Sequence, residues 1–290
     1  MISAASIERE VASPGGNRRF VVRMASDGAA VESVLYRGDT LCVSSQVGCG
    51  VRCPFCASGA SGVARNLTLE ELFAQRDLVA ASSDRPIARV TVSGAGEPLH
   101  NHEVVAAFVD ACRDTSPASV TTTGAPLVHL ARWLAQDGPR HNGLTISVHA
   151  GTEDVRARLV PKGPALDPLF ALLNDAIPRA SRKRKKKIAL AYLVIGGQND
   201  HDDELDAFAA RARPLDLFVH LYAYNPVPTS PHRGVDRARY EAIYQRLVDR
   251  GLRVRMSSKA RTEDNGGCGT LVALRGARRG YDARDACATS

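Results

Sequence analysis

From Thr40 onward, short apolar runs alternate with segments of helical period about six times over, and this alternation constrains the fold more than any other feature. The strand candidates are Leu41–Gln46, Ala88–Ser93, Ser119–Thr123, Leu144–His149, Ile188–Ile195, Phe218–Tyr224 and Arg253–Ser257. The intervening helices carry local start and stop signals. Thr68 with Glu71 spells a capping box, and Leu69, Leu72 and Phe73 share one face behind it. Asp236 is placed to cap a helix whose stripe is Tyr240, Ile243, Tyr244 and Leu247, with Gly251 as the stop. Strands separated by helices pair in parallel through right-handed crossovers. The expectation is an α/β fold, a partial (β/α)6-type barrel rather than an open doubly wound sheet. Ahead of it, Arg19–Met24 and Ala30–Tyr36 flank the turn Ser26-Asp27-Gly28 and predict a β-hairpin. The expected organisation is a hairpin extension over 1–39, a barrel over 40–274 and a basic, flexible tail over 275–290.

The chain of 290 residues is 44% hydrophobic, enough to build a core, so disorder is excluded. No apolar run approaches the roughly 18 residues of a membrane span, and no secretory leader precedes the hairpin, so a cytoplasmic location is expected. Six consecutive cations, Arg182 to Lys187, account for most of the net +7; without them +1 remains. Such a run is either a polyanion contact or a solvated turn. The seven cysteines are odd in number and lack a secretory context, which favours metal or redox chemistry over a disulfide framework.

Four of them, Cys42, Cys49, Cys53 and Cys56, fall within fifteen residues. Cys49, Cys53 and Cys56 make a C-x3-C-x2-C triplet on the loop after the first barrel strand. Three thiolates at this spacing suit three corners of an iron–sulfur cubane and leave the fourth iron open to a small molecule. A structural zinc site would want a fourth ligand and usually a second C-x2-C pair. Gly94-Ala95-Gly96-Glu97-Pro98 closes the second strand, Thr121–Gly124 the third, Ser147-Val148-His149 the fourth and Tyr224-Asn225-Pro226 the sixth. In parallel α/β folds active sites gather at the carboxyl ends of the strands, where all of these fall.

The triplet, with Phe55 before its third cysteine and the GAGEP strand end after it, resembles the radical S-adenosylmethionine superfamily. The longer series narrows the resemblance: Cys42 leading into the triplet, GAGEPLHN at 94–101, SVHA at 147–150, RLVP at 158–161, YNPVP at 224–228 and Cys268-Gly-Thr-Leu271. Over roughly residues 19–272 this looks like the RlmN/Cfr family, which methylates carbon 2 or carbon 8 of an adenosine in RNA. The resemblance implies one [4Fe-4S] cluster on Cys49, Cys53 and Cys56, and S-adenosylmethionine held by Gly96, Glu97, Thr121, Ser147, Val148, His149 and Asn225. Thr121 stands where the family more often has serine.

It also implies unusual chemistry. An amidine carbon of adenine has no lone pair with which to attack a sulfonium methyl group. As the family works, two S-adenosylmethionines are used per turnover: one methylates Cys268, and the other yields the radical that takes a hydrogen from that methyl. The methylene then adds to the ring, Glu32 accepts the ring proton, and Cys42 resolves the covalent adduct through a transient disulfide with Cys268. Taken alone, Glu32 reads as an outward strand residue and Cys42 as a core thiol. Cys268 sits in a glycine-rich stretch suited to a residue that must meet two partners. Cys112 and Cys287 match nothing in the family.

The implied partners are an RNA substrate and a reducing electron donor such as a flavodoxin or ferredoxin, with no membrane. One departure bears on the substrate. The family usually opens with a helical accessory domain that grips RNA, and only 39 residues precede the Cys42 strand here. A short form is therefore expected, with the 182–187 run, Arg18-Arg19 and the tail as candidate phosphate contacts. The alternative is a methylase for a small adenine-containing metabolite or a peptide. A third reading, a non-catalytic iron–sulfur protein, leaves Cys42, Cys268 and Glu32 without a joint purpose.

Overall fold

The computed structural model describes residues 4–257. Along the chain run β1 (Ala5–Ala12), β2 (Arg18–Met24), β3 (Ala30–Tyr36), β4 (Thr40–Val43), β5 (Gln46–Gly48), β6 (Val63–Asn66), α1 (Leu69–Ala81), β7 (Arg89–Val92), α2 (His102–Ala111) and β8 (Ala118–Thr122). Then come α3 (Leu127–Leu134), β9 (Gly143–Ser147), α4 (Glu153–Leu159), α5 (Leu166–Arg179), α6 (Arg182–Lys185), β10 (Ile188–Val194), α7 (Asp202–Ala212), β11 (Phe218–Ala223), α8 (Arg237–Asp249) and β12 (Arg253–Met256). Ten strands form one sheet in the order β1-β2-β3-β4-β7-β8-β9-β10-β11-β12, and β5 and β6 form a small ribbon of their own. From β4 to β12 every pairing is parallel; from β1 to β4 every pairing is antiparallel.

All seven strand candidates are strands in the expected order, with a helix in each crossover. The sheet is curved but unclosed, with β1 and β12 as its two edges among the described residues. Two details differ from expectation. Leu41–Gln46 is broken, because Ser44 and Ser45 leave the sheet to hold the neighbouring loop before β5 begins. The N-terminal segment adds a third antiparallel strand, β1, which the pattern conceals under Glu8, Arg9 and Glu10. Being an edge, β1 can carry charge, and Glu8 and Glu10 pair with Arg23 and Arg18 on β2.

The two faces of the sheet differ in residue size, and that difference makes the site. In β10, Ile188, Leu190, Tyr192 and Val194 alternate with Ala189, Ala191 and Leu193. The first set is buried under the helices together with Leu41, Val90, Val120, Leu144, Ile146 and Val219. Each large aliphatic side chain so buried contributes about 2 kcal/mol. Register sets the other face: Cys42 lies opposite Val34 and Thr91, Thr91 opposite Ser119, Thr121 opposite Thr145, Ser147 opposite Ala191, and Leu193 opposite Tyr222. Residues opposite one another in register project to the same side. The concave face is thus lined mainly by small and hydroxyl side chains. A closed barrel would fill that space with branched residues; here a cavity is left.

Helix signals hold as read. Thr68 and Glu71 form both halves of the capping box, and the Asp236 carboxylate accepts from the Arg239 backbone at 2.7 Å. The basic run is the short helix α6 and the turn behind it. It precedes β10, at the amino ends of the parallel strands.

Candidate active site

The cavity opens at the carboxyl ends of the strands. It has a volume of about 260 Å³, and its walls include Tyr36, Phe55, Cys56, Ser93, Gly94, Thr121, Ser147, His149, Ala191, Tyr222, Tyr224 and Asn225. The ribbon of β5 and β6 brackets the triplet loop on one side. Gly48 has φ +81, and a Cβ there would stand 2.0 Å from the Gly62 carbonyl, which accepts from the Cys49 amide at 2.8 Å. Farther along, the Cys56 amide closes a turn onto the Cys53 carbonyl at 3.0 Å. The loop is then pinned to the cavity. Tyr224 Oη donates to the Phe55 carbonyl at 3.2 Å, and the Phe55 ring meets His149 edge to face at 5.7 Å.

Cys49, Cys53 and Cys56 lie near enough to one another to couple electrostatically. Burial pushes the Cys49 thiol up to about 11, with Cys56 adding to the effect. Burial and the other two sulfurs push Cys53 up as well, and Arg156 pulls it the other way. Among the described residues no three side chains converge on a single-ion site. A cubane asks for no such convergence, since each thiolate binds a different iron. Three crowded, half-buried thiols, with Cys49 and Cys53 held against ionisation by burial, are a donor set that cations would complete, so these residues fit the cluster.

The GAGEP strand end is shaped by contact. A Cβ on Gly94 would stand 2.7 Å from Ser44 Oγ, and one on Gly96, at φ +113, would stand 2.6 Å from Ser45 Oγ. Only glycine lets the two strand ends approach this closely. The Ala95 carbonyl accepts from the amides of Ser45 and Gln46 at 2.8 and 3.1 Å, and the Glu97 amide donates to Gln46 Oε1 at 2.9 Å. Glu97 itself is 2% exposed. Its carboxylate accepts from Thr122 Oγ1, from both the amide and hydroxyl of Thr123 at 2.7 Å, and from the Leu99 amide at 3.1 Å.

His149 occupies the left-handed region at φ +58. Its Nδ1 accepts from the Leu193 amide at 3.0 Å, and Asn199 holds its carbonyl at 2.8 Å. Burial first, and the Arg156 charge second, push the ring down to about 3. The neutral ring therefore carries its proton on Nε2, a donor. Thr121, Ser147 and Asn225 also line the cavity. Val148 does not: its side chain is fully buried, and its amide donates to the Ala191 carbonyl at 3.0 Å.

Cys42 is fully buried on the concave face, its Sγ 3.3 Å from Ser93 Oγ in the cavity wall. Glu32 and Tyr36 occupy alternate positions of β3 on that same side. Glu32 is fully buried, and its carbonyl accepts from Ser44 Oγ at 2.7 Å. Cys268 lies outside the described residues, as do Cys287 and the tail. Cys112 caps α2, buried, with Arg76 Nη1 donating to its sulfur at 3.6 Å, far from the cavity in sequence and on the helical side.

A profile of the Radical SAM superfamily matches residues 43–209. A dual-specificity RNA methyltransferase RlmN of Magnetococcus marinus is 33% identical over 91% of this chain and 76% of its own. A probable RNA methyltransferase of Leptothrix cholodnii is 33% identical over 89% of this chain and 74% of its own. The chain belongs to the radical SAM superfamily and, within it, to the RlmN family. Among solved structures, a radical SAM methyltransferase from Sphaerobacter thermophilus superposes with a TM-score of 0.77 at 29% identity, over 92% of this chain and 81% of the other. This chain is accordingly a radical SAM methyltransferase.

Several residues that build the site have no motif to announce them. Gln75 on α1 is fully buried; its amide oxygen accepts from the Ser44 amide at 2.9 Å and its nitrogen donates to the Ser44 carbonyl at 3.1 Å. Asn101 ties Ser45 and Leu67 at 3.1 and 2.8 Å. A polar residue on a helix's buried face was the available signal for Gln75. Tyr36 and Tyr222 were legible only as strand positions of the right parity.

Three of the six cations in the basic run have partners within the fold. Arg184 donates to the Trp133 carbonyl, Lys187 to the His141 carbonyl at 3.2 Å, and Lys185 pairs with Asp216 at 3.6 Å. Half of the run ties loops together. Its last residue, Lys187, stands four residues, about 13 Å, before Ala191 of the cavity wall, at the opposite end of β10.

Proposed function

We infer that this RlmN-family methyltransferase acts on RNA and places a methyl group on carbon 2 or carbon 8 of an adenosine. The observation that carries the reading is Cys42: a thiol fully buried on the concave face, 3.3 Å from a hydroxyl of the cavity wall, with Glu32 on the adjoining strand facing the same way. A core thiol needs no such position. With its cluster on Cys49, Cys53 and Cys56, S-adenosylmethionine bound in the cavity supplies hydrogen-atom abstraction. Two are used per turnover, the first as methyl donor to Cys268.

The chain's own residues do the rest. Thr121, Ser147 and Asn225 offer hydroxyl and amide groups to the ribose, adenine and carboxylate, and His149 offers its Nε2 proton. Gly96 and the Glu97 loop approach the methionine end. Cys268 carries the methyl carbon to the adenine ring and stays bonded to it. Glu32 takes the ring proton as the adduct, formed as a radical, returns one electron to the oxidised electron donor. Cys42, as thiolate, then attacks the Cys268 sulfur; the bond from that sulfur to the new carbon breaks with its electron pair left on the carbon, which takes up a proton to become the methyl group, and the two cysteines remain on the protein as a disulfide. Each turnover therefore oxidises two thiols and requires a reductant, besides the flavodoxin- or ferredoxin-type donor for the cluster.

RNA is favoured over a small adenine compound by the relatives and by the rim. Arg52, Lys162 and Arg233 are exposed on loops that follow β5, α4 and β11, and are candidates to hold phosphates flanking an extruded base. The test is mass spectrometry of nucleosides from RNA incubated with the reconstituted protein. Methylated adenosine, at carbon 2 or carbon 8, is expected. Methyl transfer to free adenine nucleotides or a peptide, with RNA unmodified, would overturn the RNA reading.

A further inference from the structure

Cys42 and Thr91 lie opposite each other in the register of β4 and β7, and Ser93, just past the end of β7, lies on the same concave side. Three polar side-chain atoms follow one another there. Thr91 Oγ1 stands 3.2 Å from Ser93 Oγ, which stands 3.3 Å from Cys42 Sγ. Backbone contacts fix this spacing: the Gly94 amide donates to the Val43 carbonyl at 3.0 Å, and the Ala95 amide to Ser44 Oγ at 2.9 Å. The ends of β4 and β7 are thereby locked to each other around the pair. Thr91 and Cys42 are buried, while Ser93 lies in the cavity wall.

A hydroxyl has one proton to give. While Cys42 is a thiol, the chain of three atoms can run in either direction. A thiolate only accepts, so Ser93 then donates to the sulfur and Thr91 donates to Ser93. Ionisation selects one orientation of a hydrogen-bond chain that the fold has already built, and hydrogen bonds to an ionised group are the stronger kind. Without a donor, a fully buried thiolate is disfavoured by desolvation. The titratable groups on the Cys42 side of the sheet are Glu32 and Tyr36 on β3; β7 offers only the two hydroxyls, and Cys56, His149, Tyr222 and Tyr224 line the rest of the cavity. An ionised Glu32 would oppose the thiolate, but at the resolving step it already holds the ring proton.

Resting on the reading of Cys42 as the resolving thiol, we propose that Ser93 is a positioning residue of that step: its hydroxyl, accepting from Thr91, donates to the Cys42 sulfur, holds it toward the cavity and stabilises it as the thiolate that attacks Cys268. The disulfide bond forms as the bond from the Cys268 sulfur to carbon breaks, and the carbon keeps that bond's electron pair. The proton given up by Cys42 is matched by the one the carbon takes up, and Ser93 loses none of its own.

Cluster-loaded wild type, Ser93→Ala, Ser93→Thr and Thr91→Val are treated with iodoacetamide across a pH series, without RNA, and alkylation of the Cys42 peptide is followed by mass spectrometry. The midpoint of the pH profile reports the thiolate, whereas a change in access moves only the plateau. Ser93→Ala is expected to raise the midpoint by about one pH unit, the loss of one hydrogen bond to a charged group. Thr91→Val raises it less, and Ser93→Thr, which keeps the hydroxyl, stays near wild type. A wild-type midpoint in Ser93→Ala overturns the proposal, as does an equal rise in Ser93→Thr. Should the reagent reach Cys42 in no variant, the covalent RNA adduct decides. Ser93→Ala purified from cells is then expected to retain at least tenfold more adduct than wild type; no excess, beside a Cys42→Ala control that does retain it, overturns the proposal. A Cys42→Ala protein without adduct counts against the proposed function instead, and a raised midpoint in Ser93→Ala leaves the hold of Ser93 on Cys42 standing.

Discussion

At the carboxyl ends of β4, β7, β8 and β9, glycines let backbones meet, and buried Glu97, Gln75 and Arg156 are spent on main-chain groups and threonine hydroxyls: Gln75 on Ser44, Glu97 on Thr122 and Thr123, and Arg156 on the carbonyls of Ser147, Val148 and Thr123. At the amino ends of β9 and β10, the chain instead concentrates its charge, six cations in a row, over Trp133 and His141. Each end holds a buried histidine pushed down to about 3 by burial first and neighbouring cations second. His149 has partners for its ring and carbonyl, whereas neither ring nitrogen of His141 has a hydrogen-bond partner. The contrast teaches that the charge which dominates the composition is not where the chemistry is. The site is marked by polar atoms that are buried and satisfied, not by charges that are exposed.

Substitutions at matched positions test that contrast. Gly96→Ala places a methyl group against Ser45 and Gln46 at a backbone angle that disfavours it. It is expected to lose about 1–3 kcal/mol of stability and to weaken S-adenosylmethionine binding at least tenfold. Gly16, at the opposite end, has φ +86 but nothing within 4 Å of its Cβ position. Gly16→Ala should cost only the backbone term, about 1–2 kcal/mol, with cofactor binding unchanged. Equal losses of binding in both would erase the distinction.

A second pair of effects is set by pH. Both histidines titrate lower in the folded chain than in the unfolded one, so the unfolded state binds more protons between the two values. Their contribution is intact above about pH 6.5 and is lost as pH falls toward 3, by about 2 kcal/mol each at pH 5. His141→Leu is expected to remove about half of the acid loss, measured by urea unfolding at pH 7.5 and 5, without altering cofactor affinity. An unchanged acid slope would show that His141 is not buried as a neutral ring.

The smallest effect belongs to the charged end. Replacing Arg182, Lys183 and Lys186 together by alanine should change stability by no more than about 0.5 kcal/mol and leave methylation of a short RNA unaltered. A fall in the salt dependence of RNA binding by about 0.7–0.9 per cation would make that end a second RNA contact and break the contrast.

The fold was largely legible because its alternation is one-sided. Ile188, Leu190 and Tyr192 against Ala189 and Ala191 announce a strand with one large-residue face, and the caps at Thr68 and Asp236 fix where helices begin. β1 was not legible, since an edge strand can carry Glu8, Arg9 and Glu10 without burying them. Within the site, the triplet and GAGEP are visible because thiolate spacing and backbone approach admit few residue types. Gln75 shows only as a polar residue on a buried helix face and Arg156 not at all, because their work is to satisfy main-chain groups of other segments. Only the folded sheet brings those groups together. The basic run shows the converse: charge is conspicuous in sequence, while where it lies relative to the cavity depends on which end of a strand it precedes.

The central claim is that Cys42 resolves a covalent bond between Cys268 and RNA, and one measurement addresses it directly. Cys42→Ala, purified from cells able to assemble the cluster, is digested with protease and nuclease and analysed by mass spectrometry. A nucleotide joined through one carbon to the Cys268 sulfur is expected, accumulating in the variant and absent from wild type. A Cys42→Ala protein that carries its cluster, turns over RNA at the wild-type rate and holds no nucleotide on Cys268 would contradict it.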